Sequence, residues 1–414
     1  MKQQRVRVLL VSLLTLGCSP PPPAVVTPSD DPADWVVDPS RTWRPVLGEP
    51  RWLVPGPLVP AAAKPVLAAN NNVDLVMHDG RLWMGWRTAP SHFASAETRL
   101  HVVSSGDLGQ TWRFETTVFQ GADLREPLFL SMGGVLRFHW FEAGTDPFSF
   151  EPRQSWRITL GSDGRWSEPE RWAEPKHITW SLEVRGGVAW RTSYSGTHYM
   201  LGMPSDLSLA FTTSADGVTW QPVAGDGVVY RGGVSEAAFE FDADGNLWAV
   251  TRNEDGDATG FGSHVCFAAK AALGSWSCSP KSDPHRYDSP KLFRHGTELF
   301  LVARRNPSGP FDQGRDELSF SQKQTAYLGA YSASPKRTAL YRLDRERRRV
   351  EWLFDLPSSG DTAFPSVVRV DAHRFLIANY TSPVDFDVDR SWLTGQTIAA
   401  GTQLYLVELA FEED

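Results

Sequence analysis

The sequence predicts an all-β protein, a six-bladed β-propeller of four-stranded antiparallel blades, and three observations support this prediction. The 414 residues include 17 Trp, 34 Gly and 30 Pro, a composition that favours short strands and tight turns over helices. A unit of two apolar strands joined by a turn recurs six times along the chain. Short turn motifs rich in Ser, Asp, Gly and Trp lie between the copies.

The six copies share a polar start, an apolar strand, a turn and a second strand with a polar end. Their starts lie roughly 50 to 55 residues apart, except at the last copy. The copies span residues 72–87, 125–142, 180–194, 235–252, 288–304 and 361–380. Two hairpins per unit predict six blades that close into a ring. The last copy lacks an obvious fourth strand, which we expect residues 42–54 to supply, and the extra residues before position 361 decorate blade five.

Two segments between the copies have the pattern of a self-contained turn. Residues 105–112 read Ser-Gly-Asp-Leu-Gly-Gln-Thr-Trp, and residues 214–220 form a version one residue shorter. In such a turn a carboxylate accepts backbone N–H groups, a glycine takes a positive φ and the tryptophan covers the hairpin. These segments resemble the Asp-box of sialidase-type propellers. The resemblance implies a sialidase-like fold over the whole mature chain, with the boxes in structural positions on outer hairpins.

The N-terminal segment indicates export. Three basic residues precede an apolar run at 8–16 that is too short to span a bilayer, and Gly17 and Cys18 follow. Residues 14–18 resemble a bacterial lipobox, which implies acylation of Cys18 and anchoring of the protein in a lipid membrane. The expected location is the outer membrane or the cell surface. The chain accordingly divides into a lipoprotein signal peptide (1–17), a Pro-rich tether (18–34) and the propeller (35–414).

Charge and motifs exclude several classes of function. The net charge of -8, without a long basic run, argues against nucleic acid as a partner, and residues 345–349 are expected to form a solvated hairpin tip. The sequence contains no phosphate-binding glycine loop, nucleophile elbow or recognisable metal-ligand spacing, so it predicts no cofactor and no metal site. Cys266 and Cys278 flank a hairpin-like stretch, and in an exported protein this pair favours a disulfide.

The polar ends of the repeats are expected to meet at one mouth of the ring. The first strand of an antiparallel hairpin starts at the edge where the second strand ends. The residues at this edge are Asn72, Asp74, Arg87, Arg125, Glu126, Trp180, Tyr194, Glu236, Arg252, Asp288, Arg304, Arg305, Asp361 and Tyr380. One interpretation is structural, with ion pairs such as Glu236 with Arg252 or Glu126 with Arg125. The other is functional, with arginines binding an anionic sugar group and carboxylates acting as acid or base.

The family resemblance extends to part of a catalytic site. Residues from Glu236 to Arg252 are similar to the sialidase segment that carries the Tyr-activating Glu and the second Arg of a carboxylate-binding triad. Residues 289–305 are similar to the segment near the third Arg, with Arg304 and Arg305 both open as its equivalent.

Three positions depart from the family pattern. Asn71 to Asp74 stand where the first Arg is expected, and Phe364 stands nearest the nucleophilic Tyr. Residues 88–93 replace the loop that carries the acid-base Asp. The possible substitutes are Arg87 or Arg125 for the arginine, Tyr380 or Tyr194 for the tyrosine, and His92 or Glu97 for the aspartate.

Three functions fit these residues. The first is a sialidase-like exo-glycosidase that acts on acidic or otherwise decorated glycans. The second is a non-catalytic glycan-binding propeller, with Trp180 stacking on sugar rings. The third is a polysaccharide lyase with His92 or Tyr380 as the base. The candidate catalytic residues are Glu236, Glu126, Asp288, His92 and Tyr380, and the candidate substrate-binding residues are Arg87, Arg125, Arg252, Arg304, Trp180 and Asp361.

Overall fold

The protein is a six-bladed β-propeller. A computed structural model describes residues 37–197, 205–384 and 389–414, and these form six antiparallel sheets of four or five strands. Contacts between the innermost strands run from each sheet to the next and from the sixth back to the first, so the ring is closed. The predicted fold class is confirmed. The signal peptide, the acylated Cys18 and the tether are predictions that lie outside the described residues.

Blades 1 to 5 are each built from consecutive strands, numbered here in chain order. The innermost strand of each blade comes first, as the repeat predicts. Blade 1 consists of β3 (Ala69–His78), β4 (Arg81–Ala89), β5 (Arg99–Ser105) and β6 (Arg113–Val118). Blade 2 consists of β7 (Asp123–Met132), β8 (Val135–Ala143), β9 (Pro152–Thr159) and β10 (Glu170–Arg171). Blade 3 consists of β11 (Ile178–Arg185), β12 (Val188–Thr197), β13 (Asp206–Ser214), β14 (Gln221–Pro222) and β15 (Val228–Gly232). Blade 4 consists of β16 (Val234–Phe241), β17 (Leu247–Asn253), β18 (Val265–Ala268) and β19 (Ser277–Cys278). Blade 5 consists of β20 (Asp288–His295), β21 (Glu298–Arg305), β22 (Arg337–Asp344) and β23 (Arg349–Asp355).

Blade 6 joins the two ends of the chain. Its inner strands are β24 (Thr362–Arg369), β25 (Arg374–Thr381) and β26 (Gln403–Glu413), and β26 pairs on its outer side with β1 (Trp43–Leu47) and β2 (Arg51–Val54). Residues 42–54 therefore complete the sixth blade as expected. This pairing covers the edge that an incomplete last blade would expose.

The apolar core lies between adjacent blades. Trp86 of blade 1 and Tyr380 of blade 6 are fully buried in one cluster. Trp83 and Phe138 belong to another cluster between blades 1 and 2. Alternation along each strand directs side chains to both faces of the blade, and each face packs on the next blade around the ring. The rigidity of the mouth therefore depends on all six interfaces.

The Asp-containing turns have the geometry that the sequence predicts. Asp107 lies in the turn between β5 and β6, where its carboxylate accepts the backbone N–H groups of Gln110 (3.1 Å) and Thr111 (2.9 Å). Gly109 has φ 81°, and a Cβ there would lie 2.7 Å from Leu406. Asp216 accepts N–H groups in the same way between β13 and β14. Both turns lie on outer hairpins.

Two inserted helices form a wall on the mouth side of blades 4 to 6. Helix α1 (Phe320–Ala333) lies between β21 and β22, and helix α2 (Trp392–Thr397) lies between β25 and β26. Ser319 caps α1 by accepting the N–H group of Gln322, whose side chain in turn accepts the N–H group of Ser319. The helices pack through the aromatic cluster of Phe261, Phe311, Tyr327, Tyr331 and Trp392. The extra residues before position 361 thus decorate blade five with α1, and residues 345–348 form the turn of the predicted basic hairpin.

A disulfide joins Cys266 of β18 to Cys278 of β19 at the outer edge of blade 4. We expect replacement of both cysteines by alanine to lower the free energy of unfolding by about 2–3 kcal/mol, because the crosslink restricts the conformations of the unfolded chain. Urea unfolding of the mature protein with and without reductant measures this. An unchanged midpoint after complete reduction of the bond would contradict it.

Candidate functional site at the mouth of the propeller

A bulge near the start of every innermost strand shapes the mouth. The pairing register between the first and second strands shifts in all six blades, at positions 71/73, 125/128, 179/181, 234/237, 288/291 and 363/366. Five non-glycine residues at these shifts have positive φ, namely Asn72, Glu126, Ser289, Ala363 and Phe364. Such backbone is strained and persists only where the surrounding structure holds it. We call these six irregularities the mouth bulges.

The mouth bulges place side chains around the central axis. Asn72, Glu126, Trp180, Pro290 and Phe364 line one small cavity. The rings of Trp180 and Phe364, from opposite blades, lie 5.0 Å apart, and the indole N–H of Trp180 donates to the carbonyl oxygen of Pro290 (3.1 Å). This contact forms an aromatic floor beneath the mouth. The central channel continues as a separate cavity of about 340 Å³ with Asp74, Glu183 and Lys291 in its lining.

The carboxyl group of Glu126 is strongly altered by this environment. It is half-buried at its bulge with φ 49°, and Asn72 Nδ2 donates to its Oε2 atom (2.6 Å). Burial, followed by the charge of Glu236, raises the pKa of Glu126 to about 8. At neutral pH this carboxyl group is therefore mostly protonated and available as a proton donor.

Three arginines and three carboxylates form a buried cluster in blades 4 and 5. Arg252 contacts Glu236 (2.6 Å), Glu254 (2.5 Å) and Asp288 (3.3 Å). Asp288 also contacts Arg286 (2.6 Å) and Arg304 (3.4 Å). Burial opposes ionisation of Asp288, but the neighbouring arginines, Arg286 first, hold its pKa well below the usual range. We call these six residues the ion-pair cluster.

Aromatic side chains cover the ion-pair cluster on the side of the mouth. Tyr331 of α1 donates its hydroxyl to Asp288 (2.7 Å), and the guanidinium of Arg286 lies 4.6 Å from the ring of Phe311. The guanidinium of Arg304 lies 5.3 Å from the ring of Trp392 in α2. The wall of inserted helices thus closes over these arginines.

A second ion pair lies on blades 1 and 2. Asp123 contacts Arg87 (2.7 Å) and Arg125, and it also accepts a hydrogen bond from the hydroxyl of Thr98 (2.9 Å). Burial raises the pKa of Asp123, but the two arginines more than offset this and lower it to about 2. Arg87 is fully buried, whereas the side chain of Arg125 is 16% exposed and donates to the carbonyl oxygen of His92 (3.2 Å).

His92 is held by a buried carboxylate. Its Nδ1 atom lies 2.7 Å from Asp361 Oδ2, and the phenol of Tyr380 donates to Asp361 Oδ1 (2.9 Å). Burial opposes ionisation of Asp361, but His92, Arg304 and Tyr380 lower its pKa. An ionised carboxylate only accepts hydrogen bonds, so Nδ1 of His92 carries the hydrogen of this contact. Within the described residues no hydrogen bond to Nε2 is found, and 17% of the His92 side chain is exposed.

The structure separates the candidate residues into exposed and buried groups. The accessible ones are Glu126, His92, Arg125 and Trp180, on blades 1 to 3. The buried ones, each paired within the protein, are Arg87, Glu236, Arg252, Asp288, Arg304, Asp361 and Tyr380. The predicted pair of Glu236 with Arg252 is present, whereas Arg125 contacts Asp123 and Glu126 bonds to Asn72. Arg304 joins the cluster, while Arg305 pairs with Asp355 (2.8 Å).

Sequence reasoning missed four partners in this site, namely Asp123, Glu254, Arg286 and Tyr331. A weak signal of ion pairing is present in the spacing of Arg286 and Asp288, two positions apart at the start of β20, and of Glu254, two positions after Arg252. Tyr331 carries none, because it reaches Asp288 from a helix inserted 43 residues later. Within the described ranges, no three His, Cys, Asp or Glu side chains are arranged to hold a metal ion.

Comparison with known proteins supports the fold. No family model matches the chain, and no curated protein matches it. A solved protein of unknown function from Dyadobacter fermentans DSM 18053 is similar with a TM-score of 0.55 and 14% identity, covering 83% of this chain and 95% of that one. Trypanosoma rangeli sialidase is similar with a TM-score of 0.55 and 12% identity, and its complex with the inhibitor DANA with 0.52 and 14%. Both sialidase comparisons cover 83% of this chain and 55% of the sialidase, so this chain spans about half the length of that protein. The propeller fold is therefore sialidase-like.

The raised pKa of Glu126 predicts a dependence of stability on pH. Between its ordinary value of 4.5 and about 8, the folded protein holds a proton that the unfolded chain has released, so stability falls as pH rises through this range. Glu126→Gln stays neutral and lacks this effect. We expect the Tm of the variant, relative to the native protein, to rise by about 4 °C between pH 5 and pH 9, because the native protein loses about 1.4 kcal/mol of stability per pH unit up to pH 8 and 1 kcal/mol shifts the Tm of a domain of this size by roughly 1 °C. Calorimetry over this range measures it, and parallel Tm curves for the two proteins would contradict it.

Proposed function

We propose that the protein is an exo-acting glycoside hydrolase with Glu126 as its general acid. The observation that carries this proposal is the half-buried carboxyl group of Glu126, which Asn72 holds beside the aromatic floor. A general acid is most effective when its pKa lies near the working pH, and burial brings Glu126 to about 8. The bond from Asn72 fixes the orientation of the carboxyl group without adding a positive charge that would lower its pKa.

His92 supplies the general base in this proposal. Asp361 orients the ring through Nδ1 and stabilises the imidazolium that forms when Nε2 takes a proton. Tyr380 is a positioning residue, because it is fully buried and acts only through Asp361. His92 lies in the loop where the sialidase resemblance implies an acid-base aspartate, so the same loop carries a proton-transfer group of different chemistry.

The reaction is a hydrolysis in which two protons move. Glu126 gives its proton to the glycosidic oxygen as the bond from that oxygen to the anomeric carbon breaks. A water molecule forms the new bond to the anomeric carbon, and its proton goes to Nε2 of His92. Return of that proton through solvent to Glu126 restores both groups. Hydrolysis by a carboxylic acid and a separate base is a general route for glycosidic bonds.

The shape of the mouth supports action at a chain end. Trp180 and Phe364 close the channel from below, and the helical wall of blades 4 to 6 closes one side. Aromatic faces bind the C–H surfaces of sugar rings, so this floor suits a terminal residue. A pocket that is closed at its base admits the end of a glycan rather than its middle.

We expect Glu126→Gln to lower kcat/KM for sugar release by at least about 100-fold, because the proton donor is lost while the shape is kept. The kcat of the native protein should fall as pH rises above about 8, with loss of that proton. Glu168→Gln, a change at an exposed turn between β9 and β10, is the matched control and should retain full activity. The assay is release of free sugar from a glycan panel by the mature protein. Unchanged release by Glu126→Gln would refute the assignment.

A non-catalytic glycan-binding propeller is the second candidate. The aromatic floor favours it, since stacked rings suit binding without chemistry. Glycan binding with no sugar release by the native protein at any pH would favour this candidate over the hydrolase. A lyase needs a cation to neutralise a uronate carboxylate, and the pairing of Arg87, Arg252 and Arg304 with protein carboxylates does not favour that reaction.

We also propose that the protein is an exported bacterial lipoprotein anchored through Cys18. The basic and apolar N-terminal segment supports this, as does the disulfide, which is typical of oxidising compartments. Among the residues that the structure describes, no helix has both the length and the apolar character needed to cross a membrane.

The lipidation proposal predicts that Cys18→Ser abolishes incorporation of a labelled fatty acid and moves the protein from the membrane fraction to the soluble fraction. The acyl chains bind the membrane through their buried methylene groups, and serine offers no thiol to carry them. Ser19→Ala is the matched control, since it leaves the thiol in place. Membrane association of the Cys18→Ser variant equal to that of the native protein would exclude the anchor.

A further inference from the structure

We propose that the mouth accepts neutral glycans and discriminates against sialylated, uronate-bearing and sulfated ones. This inference rests on the proposed function, since it names the substrate class of the same site. It departs from the expectation of an acidic substrate, which the arginine-rich rim suggested from sequence.

The arginines of blades 4 and 5 already have anionic partners. Arg252 is shared among Glu236, Glu254 and Asp288, and Glu236 also accepts the backbone N–H group of Ser289 (2.7 Å). Each of these side chains is at most 9% exposed. The positions where a ligand carboxylate would meet Arg252 are therefore occupied by carboxylates of the protein.

The ion-pair cluster contains as many carboxyl groups as arginines. Three guanidinium groups face three carboxylates, and Asp288 alone contacts all three arginines. An anionic sugar would have to displace one of these carboxylates and leave it buried without its partner, which is strongly unfavourable. The rings of Phe311, Tyr331 and Trp392 further cover the guanidinium groups of Arg286 and Arg304.

The arginines on the open side of the mouth, on blades 1 and 2, are also paired with a carboxylate of the protein. Asp123 bridges Arg87 and Arg125, and Asp361 contributes a second negative charge beside His92. An anion placed near Glu126 would also meet the negative field of Glu236, which already acts on Glu126. The accessible surface beside Glu126 also includes Trp180 and Phe364, whose rings bind uncharged sugar faces.

The test is a glycan array in which each acidic glycan is printed beside its neutral counterpart: asialo, carboxyl-reduced or desulfated. The full mature protein and Glu126→Gln, which slows turnover, are applied at 50 and 500 mM NaCl. We expect neutral members to bind at least about tenfold more tightly than their acidic partners, with less than a twofold effect of salt, because no ion pair forms with the ligand. Sugar release from the same pairs is measured in parallel.

The outcomes separate this inference from the proposed function. Preferential binding of neutral glycans without any sugar release would support the substrate class and overturn the hydrolase. Equal or tighter binding of the acidic members, or binding that weakens strongly with salt, would overturn the substrate class even if sugar is released. Failure to bind any glycan of either kind would overturn it too.

Discussion

The bulge at the start of each innermost strand is the constraint on which the candidate site depends. A regular strand would send alternate side chains into the two blade interfaces, whereas an inserted residue turns one side chain towards the axis. Asn72, Glu126, Trp180 and Phe364 occupy the axis for this reason, and three of them have positive φ. The strain is held by the closed ring, because the innermost strands contact each other around the whole circle. The pairing of β1 and β2 with β26, which completes blade 6, therefore helps to hold the bulged residues at the axis.

The mouth is chemically unequal around its circumference. On blades 4 and 5 the ion-pair cluster fills the mouth and the inserted helices cover it, so these arginines and carboxyl groups contact each other away from solvent. On blades 1 and 2 the loops are shorter, and Glu126 and His92 stay accessible. The buried charged residues therefore lie on one side of the mouth, and the two groups proposed for proton transfer lie on the other. Arg125 links a buried ion pair to the accessible side, since it contacts Asp123 and donates to the carbonyl oxygen of His92.

The sequence predicts the fold well because the fold is repeated. Six copies of one hairpin pattern determine the number of blades, and the missing strand of the last copy identifies residues 42–54 as its partner. The contacts of the site are less predictable because they join distant parts of the chain, as His92 with Asp361 or Tyr331 with Asp288. Sequence does carry one unused signal: Pro127, Pro290 and Pro365 follow the bulged positions, and proline inside a strand marks a bulge because it cannot donate to the ladder.

The departures from the sialidase pattern form one consistent arrangement rather than separate losses. An arginine at the position of Asn72 would place a positive charge beside Glu126 and lower its pKa, whereas the hydrogen bond from the neutral amide lowers it without overcoming the effect of burial. Phe364, where a phenol would be expected, packs its ring against Trp180 and closes the channel. The missing arginine and the missing tyrosine are thus coupled to a protonated glutamate and a closed aromatic floor. These two features need no charge on the substrate, which is the physical basis for proposing a neutral sugar.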